Sequence, residues 1–586
     1  MPCQRVFYAP QDPQDPGSLG VKIIDNAANM KHSPMESAAI ATQPPRAQWC
    51  WRALWRSLGA VLLGALQACS LAWPAAWAWP PLLPAGQALW YLQVLATAGL
   101  YVLLQGQSVR TTLLTAWLFA FAWLLGAVGW IYTSLHVYGG LAAPLALAAL
   151  AALAGFLASY FAVAAGFFRY FSLKWLAKPA QAAALFIAFW SMAELARNSW
   201  FTGFPWGASG YAHVQGPLAF MAPWAGVYGI AAAATALALS IAHLLRTVWL
   251  RRLPCNRWGF RQAGASLWFF VGLVLLLAIL PQALTRLAGP AHPSQPPLMV
   301  DLLQGNISQG EKFDMQKGVP QALAWYSQQL QQSQADLVIT PETAIPLLPL
   351  DLPAGYWLAL QQHFVQSGQA ALVGLPLGNE EDGYANSVVG LKPSGAATHY
   401  TYVKQHLVPF GEFIPPMFRW FTNLLQIPLG DFSRGDRVQP SFLWHGERLA
   451  PNICYEDLFG EELAGRFVSA ETAPTILVNL SNLAWFGTGA VLDQHRNIAR
   501  MRSLELDRPT LRATNTGVTA LIDRHGVVQA QLPSATQGVL RVRVGGNTGI
   551  TFFAWWAGRY GQLPLWLLAF VGLGVVFLSS KNTRPR

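Results

Sequence analysis

A polytopic α-helical membrane protein carrying one α/β domain is the fold class this sequence predicts, and three observations predict it. Of 586 residues, 53% are apolar and only 11% charged, with 26 tryptophans, whereas soluble proteins carry about 25% charged residues. The apolar residues gather into eight runs, at 57–75, 84–104, 112–134, 141–168, 179–196, 222–245, 264–282 and 562–580. Each is long enough to cross roughly 30 Å of hydrocarbon. Between the seventh and eighth runs lies a mostly polar stretch in which strand-like and helix-like segments alternate.

Each run must be helical where it meets lipid, because an unpaired peptide group there costs several kcal/mol. Buried helices of a soluble protein would show a polar face somewhere in seven successive runs, and these show none. The proline- and tryptophan-rich stretch 73–83 reads as an interfacial turn. Residues 1–45, polar and proline-containing, read as a disordered cytoplasmic tail without a signal-peptide pattern, so the first span is expected to act as an uncleaved insertion signal.

Orientation follows from the basic residues. Arg46, Arg52 and Arg56 precede the first run, Arg110 follows the second, and Arg169, Lys174 and Lys178 follow the fourth. Arg246, Arg251, Arg252, Arg257 and Arg261 separate the sixth and seventh, and Lys581, Arg584 and Arg586 end the chain. The alternate loops hold only Arg197, at an edge. Both termini are therefore expected in the cytoplasm. The expected organisation is a tail over 1–45, a seven-helix membrane domain over 46–286, an extracytoplasmic domain over 287–555, and an eighth helix with a cytoplasmic tail over 556–586. The formal charge of +11 is largely this topological bias, so it does not argue for nucleic acid, whose binders concentrate charge on one face.

In the polar domain, 298–304, 335–340, 370–374, 384–391, 449–454 and 475–480 read as strands, followed by a strand pair over 511–522 with Arg524-His525-Gly526 as its turn. Segments near 315–333, 458–468 and 490–506 read as helices. Alternating strands and helices predict an α/β layered domain. Glu342, Lys404 and Cys454 each close a strand-like segment. Strand ends are where loops can carry chemistry on a rigid sheet.

Cys454 is the only cysteine of this domain, so no disulfide can form within it. In an oxidising compartment such a thiol is either buried and inert or kept for chemistry. Taken singly, Cys454 could be a small hydrophobe, Glu342 a helix cap and Lys404 a solvated charge. Together a thiol, a carboxylate and an amine can make an acyl-transfer site.

The order of Glu342, Lys404 and Cys454-Tyr455-Glu456, each after a strand, resembles the nitrilase superfamily. Longer motifs point to its membrane-bound branch, the apolipoprotein N-acyltransferases. They are Leu303-Gln304-Gly305-Asn306-Ile307, Pro341-Glu342-Thr343-Ala344-Ile345-Pro346, the run from Lys404 to Pro415 that contains Gly411-Glu412-Phe413, and Asn482-Leu483-Ala484-Trp485-Phe486-Gly487 with His495. Arg512-Ala513-Thr514-Asn515-Thr516-Gly517 belongs with them, as do Thr202-Gly203-Phe204-Pro205-Trp206 and Trp130-Ile131-Tyr132 with His136, Gly139 and Gly140. The similarity covers about 57 to 580. It departs at Phe313, where the family usually has tryptophan, at Leu483 in place of a common aspartate, and at Thr548-Gly549-Ile550 in place of Thr-Pro-Tyr.

The resemblance implies eight membrane helices with a nitrilase-like α-β-β-α sandwich on the periplasmic side of a bacterial inner membrane. It also implies an enzyme that moves a fatty acyl chain from a phospholipid, phosphatidylethanolamine above all, through a Cys454 thioester to the α-amino group of a diacylglyceryl-cysteine lipoprotein. No metal or cofactor is expected, and a monomer is. Glu342 is expected as the base and Lys404 as the cation at the oxyanion. Glu412 is expected to orient Lys404 or the amine, Tyr455 to line the acyl path and Glu456 to support the turn at Cys454. Phe313 keeps a ring for apolar contact but lacks the indole N–H. Trp206, Trp485 and His495 are supporting or substrate-binding candidates. The apolar stretch from Phe413 to Leu429 reads as an arm dipping into the outer leaflet. Two rivals remain at this stage: a membrane-tethered amide hydrolase, and a transporter with a degenerate binding domain.

Overall fold

The computed structural model describes residues 46–79, 82–251, 296–381, 383–393, 400–415 and 432–581. The tail over 1–45, the seventh apolar run at 264–282 and most of the expected arm, 416–431, lie outside them.

Helices Arg46–Cys69, Trp90–Leu104, Val109–Val128, Ala143–Lys174, Pro179–Ser199, Ala222–Arg251 and Leu563–Lys581 occupy the described apolar runs. Among the described residues, five helical segments are long and apolar enough to cross a membrane: Val109–Val128, Ala143–Lys174, Pro179–Thr202, Ala219–Arg246 and Leu563–Lys581. Trp90–Leu104 is apolar but shorter. Local chemistry sets the ends. Ser108 caps Val109–Val128 by accepting from the Thr111 N–H at 3.2 Å, and prolines open Ala143–Lys174 and Pro179–Ser199. Small residues let helices touch closely. A side chain at Gly64 would collide with the backbone of Phe119.

One helix departs from its apolar run. Ala222–Arg251 is broken at Gly226, whose φ is 65°, a conformation that suits a residue without Cβ. The break frees the Val227 N–H, which donates to Glu505 Oε1 at 2.7 Å. The partner comes from a distant part of the chain, so the uninterrupted run at 222–245 gives no sign of the break.

The polar domain holds two six-stranded sheets. The first has the order β12-β1-β2-β3-β4-β5 and the second β11-β10-β9-β8-β7-β6. Their strands are β1 Leu298–Gln304, β2 Leu337–Ile339, β3 Ala370–Asn379, β4 Gly383–Leu391, β5 Tyr400–Val403, β6 Phe442–Trp444, β7 Glu447–Ile453, β8 Ile476–Ser481, β9 Thr510–Thr514, β10 Ala520–Ile522, β11 Val528–Gln531 and β12 Gly538–Val544. Side-chain alternation sorts each strand into two faces. Val300, Leu302, Leu337, Ile339 and Leu372 share one core with Ile453, Ile476, Val478 and Leu480 of the other sheet. The intervening Leu303, Val338, Ala371 and Val373 pack outward on Val319 and Tyr326 of helix Gly318–Gln332 and on Leu360 and Phe364 of helix Tyr356–Ser367. The result is the expected α-β-β-α sandwich.

Several elements depart from the sequence reading. The strand expected before Lys404 is β5, whereas β6, β11 and β12 and the helices Tyr356–Ser367 and Phe552–Tyr560 were not expected from the sequence. The turn at Arg524-His525-Gly526 joins β10 to β11, while β9 and β10 pair with each other. From Ala53 onward the chain forms one compact unit. A continuous buried cluster runs from the apolar helices through Trp206 and Tyr211 to Tyr455 and the inner faces of the sheets.

Candidate active site

Strand register brings the candidate residues together. Glu342 follows β2 after Thr340 and Pro341, Lys404 directly follows β5, and Cys454 directly follows β7. Ser387 of β4 pairs with Val403 of β5, so Asn386 lies beside Lys404 and accepts its backbone N–H at 2.8 Å. Ile453 of β7 pairs in parallel with Leu480 of β8, which carries the residues following β8, including Asn482, alongside Cys454.

The Lys404 Nζ sits 2.8 Å from Glu412 Oε1 and 3.2 Å from Glu342 Oε1, fully buried. Asn386 Nδ2 donates to the same two oxygens, at 3.0 Å and 2.7 Å respectively. The second Glu342 oxygen accepts the Asn482 N–H at 2.8 Å, and the second Glu412 oxygen accepts the Val408 N–H at 2.8 Å. Buried charges persist only when paired and hydrogen-bonded, and these are. Two of the three Lys404 N–H donors are taken by carboxylates.

Burial alone would pull the Lys404 ammonium down, but Glu342 and Glu412 outweigh it and hold its pKa above the ordinary lysine value. Burial, followed by the Glu342 carboxylate, pushes the Cys454 thiol up, while Lys404 and the Asn482 backbone N–H oppose the rise. The resting group is therefore a thiol, and a neighbouring base must take its proton before it can attack.

Cys454 itself is bent. Its φ of 52° is left-handed, a conformation that costs a non-glycine residue about 1–3 kcal/mol and needs a surrounding structure to hold it. Glu456 supplies much of that hold. Its Oε2 accepts the Ile453 N–H at 2.6 Å and the Tyr402 hydroxyl at 2.8 Å, and its Oε1 accepts the Gln405 N–H at 2.7 Å. One carboxylate thus ties the strand end carrying Lys404 to the one carrying Cys454.

On the carbonyl side of Cys454, His495 Nε2 lies 3.2 Å from the Cys454 oxygen and Nδ1 lies 2.9 Å from Arg512 Nη2. Arginine only donates, so Nδ1 accepts and Nε2 carries the proton. Burial, reinforced by Arg512, depresses the His495 pKa well below the ordinary value, so the ring is neutral. Arg512 Nη1 also reaches Asp457 Oδ2 at 3.3 Å.

The remaining candidates lie around this centre. Trp206, buried, stacks on His495 with ring centroids 5.8 Å apart and donates to Gln494 Oε1 at 2.7 Å. The Tyr455 ring packs among Phe204, His406 and Phe459, and its hydroxyl donates to the Gly203 oxygen at 3.2 Å. Trp206 and Tyr455 thus seat the polar domain on the loop between two apolar helices. Trp485 is 39% exposed and meets Tyr138 edge-on. Phe313 is 54% exposed, next to the buried Lys312.

Sequence reasoning missed Lys312, Asn386 and the Asn482 backbone N–H. Lys312 Nζ donates to the Glu342 main-chain oxygen at 3.2 Å, and burial lowers its pKa to about 8, with Glu342 and Cys454 opposing. For Asn386 a signal existed: an amide in an otherwise buried strand needs a polar partner. Neither Lys312 nor a backbone donor has a comparable local signature.

Residues 70–240 match the family model described as the apolipoprotein N-acyltransferase N-terminal domain, and residues 300–547 match that of carbon-nitrogen hydrolase. The chain is 48% identical over 533 residues to a Verminephrobacter eiseniae protein named apolipoprotein N-acyltransferase, covering 88% of this chain and 95% of that one. A Ralstonia nicotianae protein of the same name is 42% identical over 498 residues, covering 85% and 90%. One from Bordetella bronchiseptica, also so named, is 40% identical over 530 residues, covering 84% and 92%.

Proposed function

The chain belongs to the apolipoprotein N-acyltransferase family and is an N-acyltransferase; from that premise we propose the substrates, the orientation and the part each residue plays. The donor is a phospholipid, with phosphatidylethanolamine preferred, and the acceptor is the α-amino group of a diacylglyceryl-cysteine at a lipoprotein N-terminus. Two lipid substrates account for a catalytic domain seated on apolar helices, since a fatty chain in water costs about 0.8 kcal/mol per CH₂.

In the first half-reaction, Glu342 takes the Cys454 thiol proton and the thiolate attacks the ester carbonyl. The ester C–O bond breaks, the S–C bond of a thioester forms, and the proton passes from Glu342 to the departing glycerol oxygen. In the second, the acceptor amine attacks the thioester. The C–S bond breaks, the amide C–N bond forms, and the amine proton returns through Glu342 to the sulfur. The remaining Lys404 N–H faces the oxyanion in both tetrahedral states, a contribution of about 2.7–4 kcal/mol for one such donor. The observation that carries this reading is the buried Lys404 ammonium held between two carboxylates beside a strained lone cysteine.

Incubation of the purified enzyme with phosphatidylethanolamine should add one fatty acyl mass to Cys454, seen by intact-mass spectrometry. An acceptor amine should discharge it. Discharge to water at the same rate with and without acceptor would favour a hydrolase instead. The proposed topology has eight spans, both termini in the cytoplasm and residues 287–555 on the periplasmic side. A tag after Gly289 should then react with an impermeant reagent from outside, and a tag in the 252–260 loop should not. The reverse pattern would overturn the orientation.

A further inference from the structure

Among the described residues, Lys312 is a buried cation without an ion-pair partner. It is 3% exposed, yet its one described hydrogen bond goes to the Glu342 main-chain oxygen at 3.2 Å. A lysine ammonium has three N–H donors, so two are left over. Among the described residues no carboxylate lies within ion-pair distance of it, and both Glu342 carboxylate oxygens are engaged by Lys404, Asn386 and the Asn482 N–H. The Phe313 ring, 6.0 Å away, is a weak partner. Burying an unpaired charge is costly, and the surroundings keep Lys312 there deliberately. Its loop is tied down by the Asn306 N–H to the Asn515 oxygen at 2.9 Å, by the Ile307 N–H to Asn515 Oδ1 at 2.9 Å, and by Asn482 Nδ2 to Gln309 Oε1 at 2.8 Å.

Position makes the case sharper. Lys312 rests on the backbone of the same residue whose carboxylate faces Lys404. Directly after it in the chain, Phe313 and Met315 are exposed. A buried cation on the Glu342 backbone, followed in the chain by exposed apolar side chains, suits an amphiphile whose anionic group lies near its ester. In a phospholipid only the glycerol unit separates the two.

We infer that Lys312 is a phosphate-binding subsite, its free N–H groups donating to the phosphodiester oxygens of the donor lipid; this rests on the phospholipid reading above. Charge-assisted hydrogen bonds of this kind are bidirectionally selective: they favour phosphorylated donors and leave a buried charge unanswered when the phosphate is missing.

The test uses the full-length enzyme in detergent micelles and measures Cys454 thioester formation from three donors: phosphatidylethanolamine, the corresponding diacylglycerol, and a short p-nitrophenyl ester. Wild-type thioester formation from phosphatidylethanolamine checks the underlying reading by itself. In Lys312→Met, kcat/KM for phosphatidylethanolamine should fall about 10- to 100-fold relative to that for the short ester, through KM. The preference for phosphatidylethanolamine over diacylglycerol should disappear. Lys312→Arg should restore most of both. Equal losses on all three donors, or an unaltered preference, would overturn the inference and leave Lys312 acting on the thiolate or the fold. Should Lys312→Met fail to fold, Lys312→Gln and the wild-type preference between the two lipids decide in the same way.

Discussion

Two buried charge clusters flank Cys454, and they are built from similar groups. On the thiol side stand Glu342, Lys404 and Glu412; on the carbonyl side stand His495, Arg512 and Asp457. The first keeps something in reserve, because Lys404 has a third N–H beyond its two carboxylates. The second spends its His495 completely, with one ring nitrogen on Arg512 and the other on the Cys454 oxygen. A group with an unused donor can meet charge that develops during reaction. A group with every site filled and its titration suppressed can only hold geometry. The difference teaches that a histidine beside a buried cysteine can be wholly committed to geometry. In the proposed mechanism the Glu342 carboxylate takes the proton, while the imidazole bonds to the bent Cys454 backbone.

The sharpest way to break this comparison is Cys454→Ala. Acyl transfer should fall by on the order of 10³-fold or more, with folding retained because alanine fits the same small space. Intact mass should show no acyl adduct; transfer at the wild-type rate would remove the cysteine from the mechanism. Next come Lys404→Ala and Glu342→Gln, each expected to slow thioester formation by about 10²–10³-fold. If either variant formed the thioester normally and stalled only at the amine step, the reserve donor would serve the second half-reaction alone.

His495→Phe probes the other cluster. It removes the hydrogen bond to the Cys454 oxygen and leaves Arg512 short of an acceptor, which should cost about 1–3 kcal/mol of stability and slow the reaction about 10-fold through misplacement of the thiol. The pH dependence separates holding from proton transfer. Because the folded-state pKa of His495 lies below the ordinary histidine value, the unfolded chain takes up a proton that the buried ring refuses. Stability should therefore fall as pH drops below about 6.5 and continue to fall toward the folded pKa. Melting measured from pH 7 down to pH 5 should show a shallower decline in His495→Phe. A wild-type rate profile that lost its inflection near neutrality in this variant would instead make His495 a base.

The smallest effects belong to Phe313. Half exposed beside Lys312, it should tolerate Phe313→Trp within a few-fold, since a ring is kept. Phe313→Ala should lower phospholipid use about 3- to 10-fold, as expected for apolar contact that is partly buried. An unchanged rate in Phe313→Ala would make the ring a bystander.

Glu342, Lys404, Cys454 and Glu412 were legible from the chain because each joins a reactive side chain to a strand end or a tight turn. Glu456 was legible as a support from its place close to Cys454, although its second job, receiving the Gln405 N–H, was not. β6 and β12 escaped notice because they take their meaning from a partner strand, Phe442 from Leu449 and Gly538 from Gln304. Lys312 escaped because nothing local distinguishes a buried lysine from a solvated one.

By itself the sequence determined the apolar helices, the layered α/β domain and the reactive groups. Those follow from composition, from periodicities of a few residues and from side-chain chemistry, all of which are local. Only the tertiary structure decided that the Asn482 N–H meets Glu342 across 140 positions, that Glu505 caps a broken helix, that His495 is neutral and that, among the described residues, Lys312 has no ion-pair partner. Charge state and hydrogen-bond supply depend on which distant segments exclude water together, and strand register and packing set that.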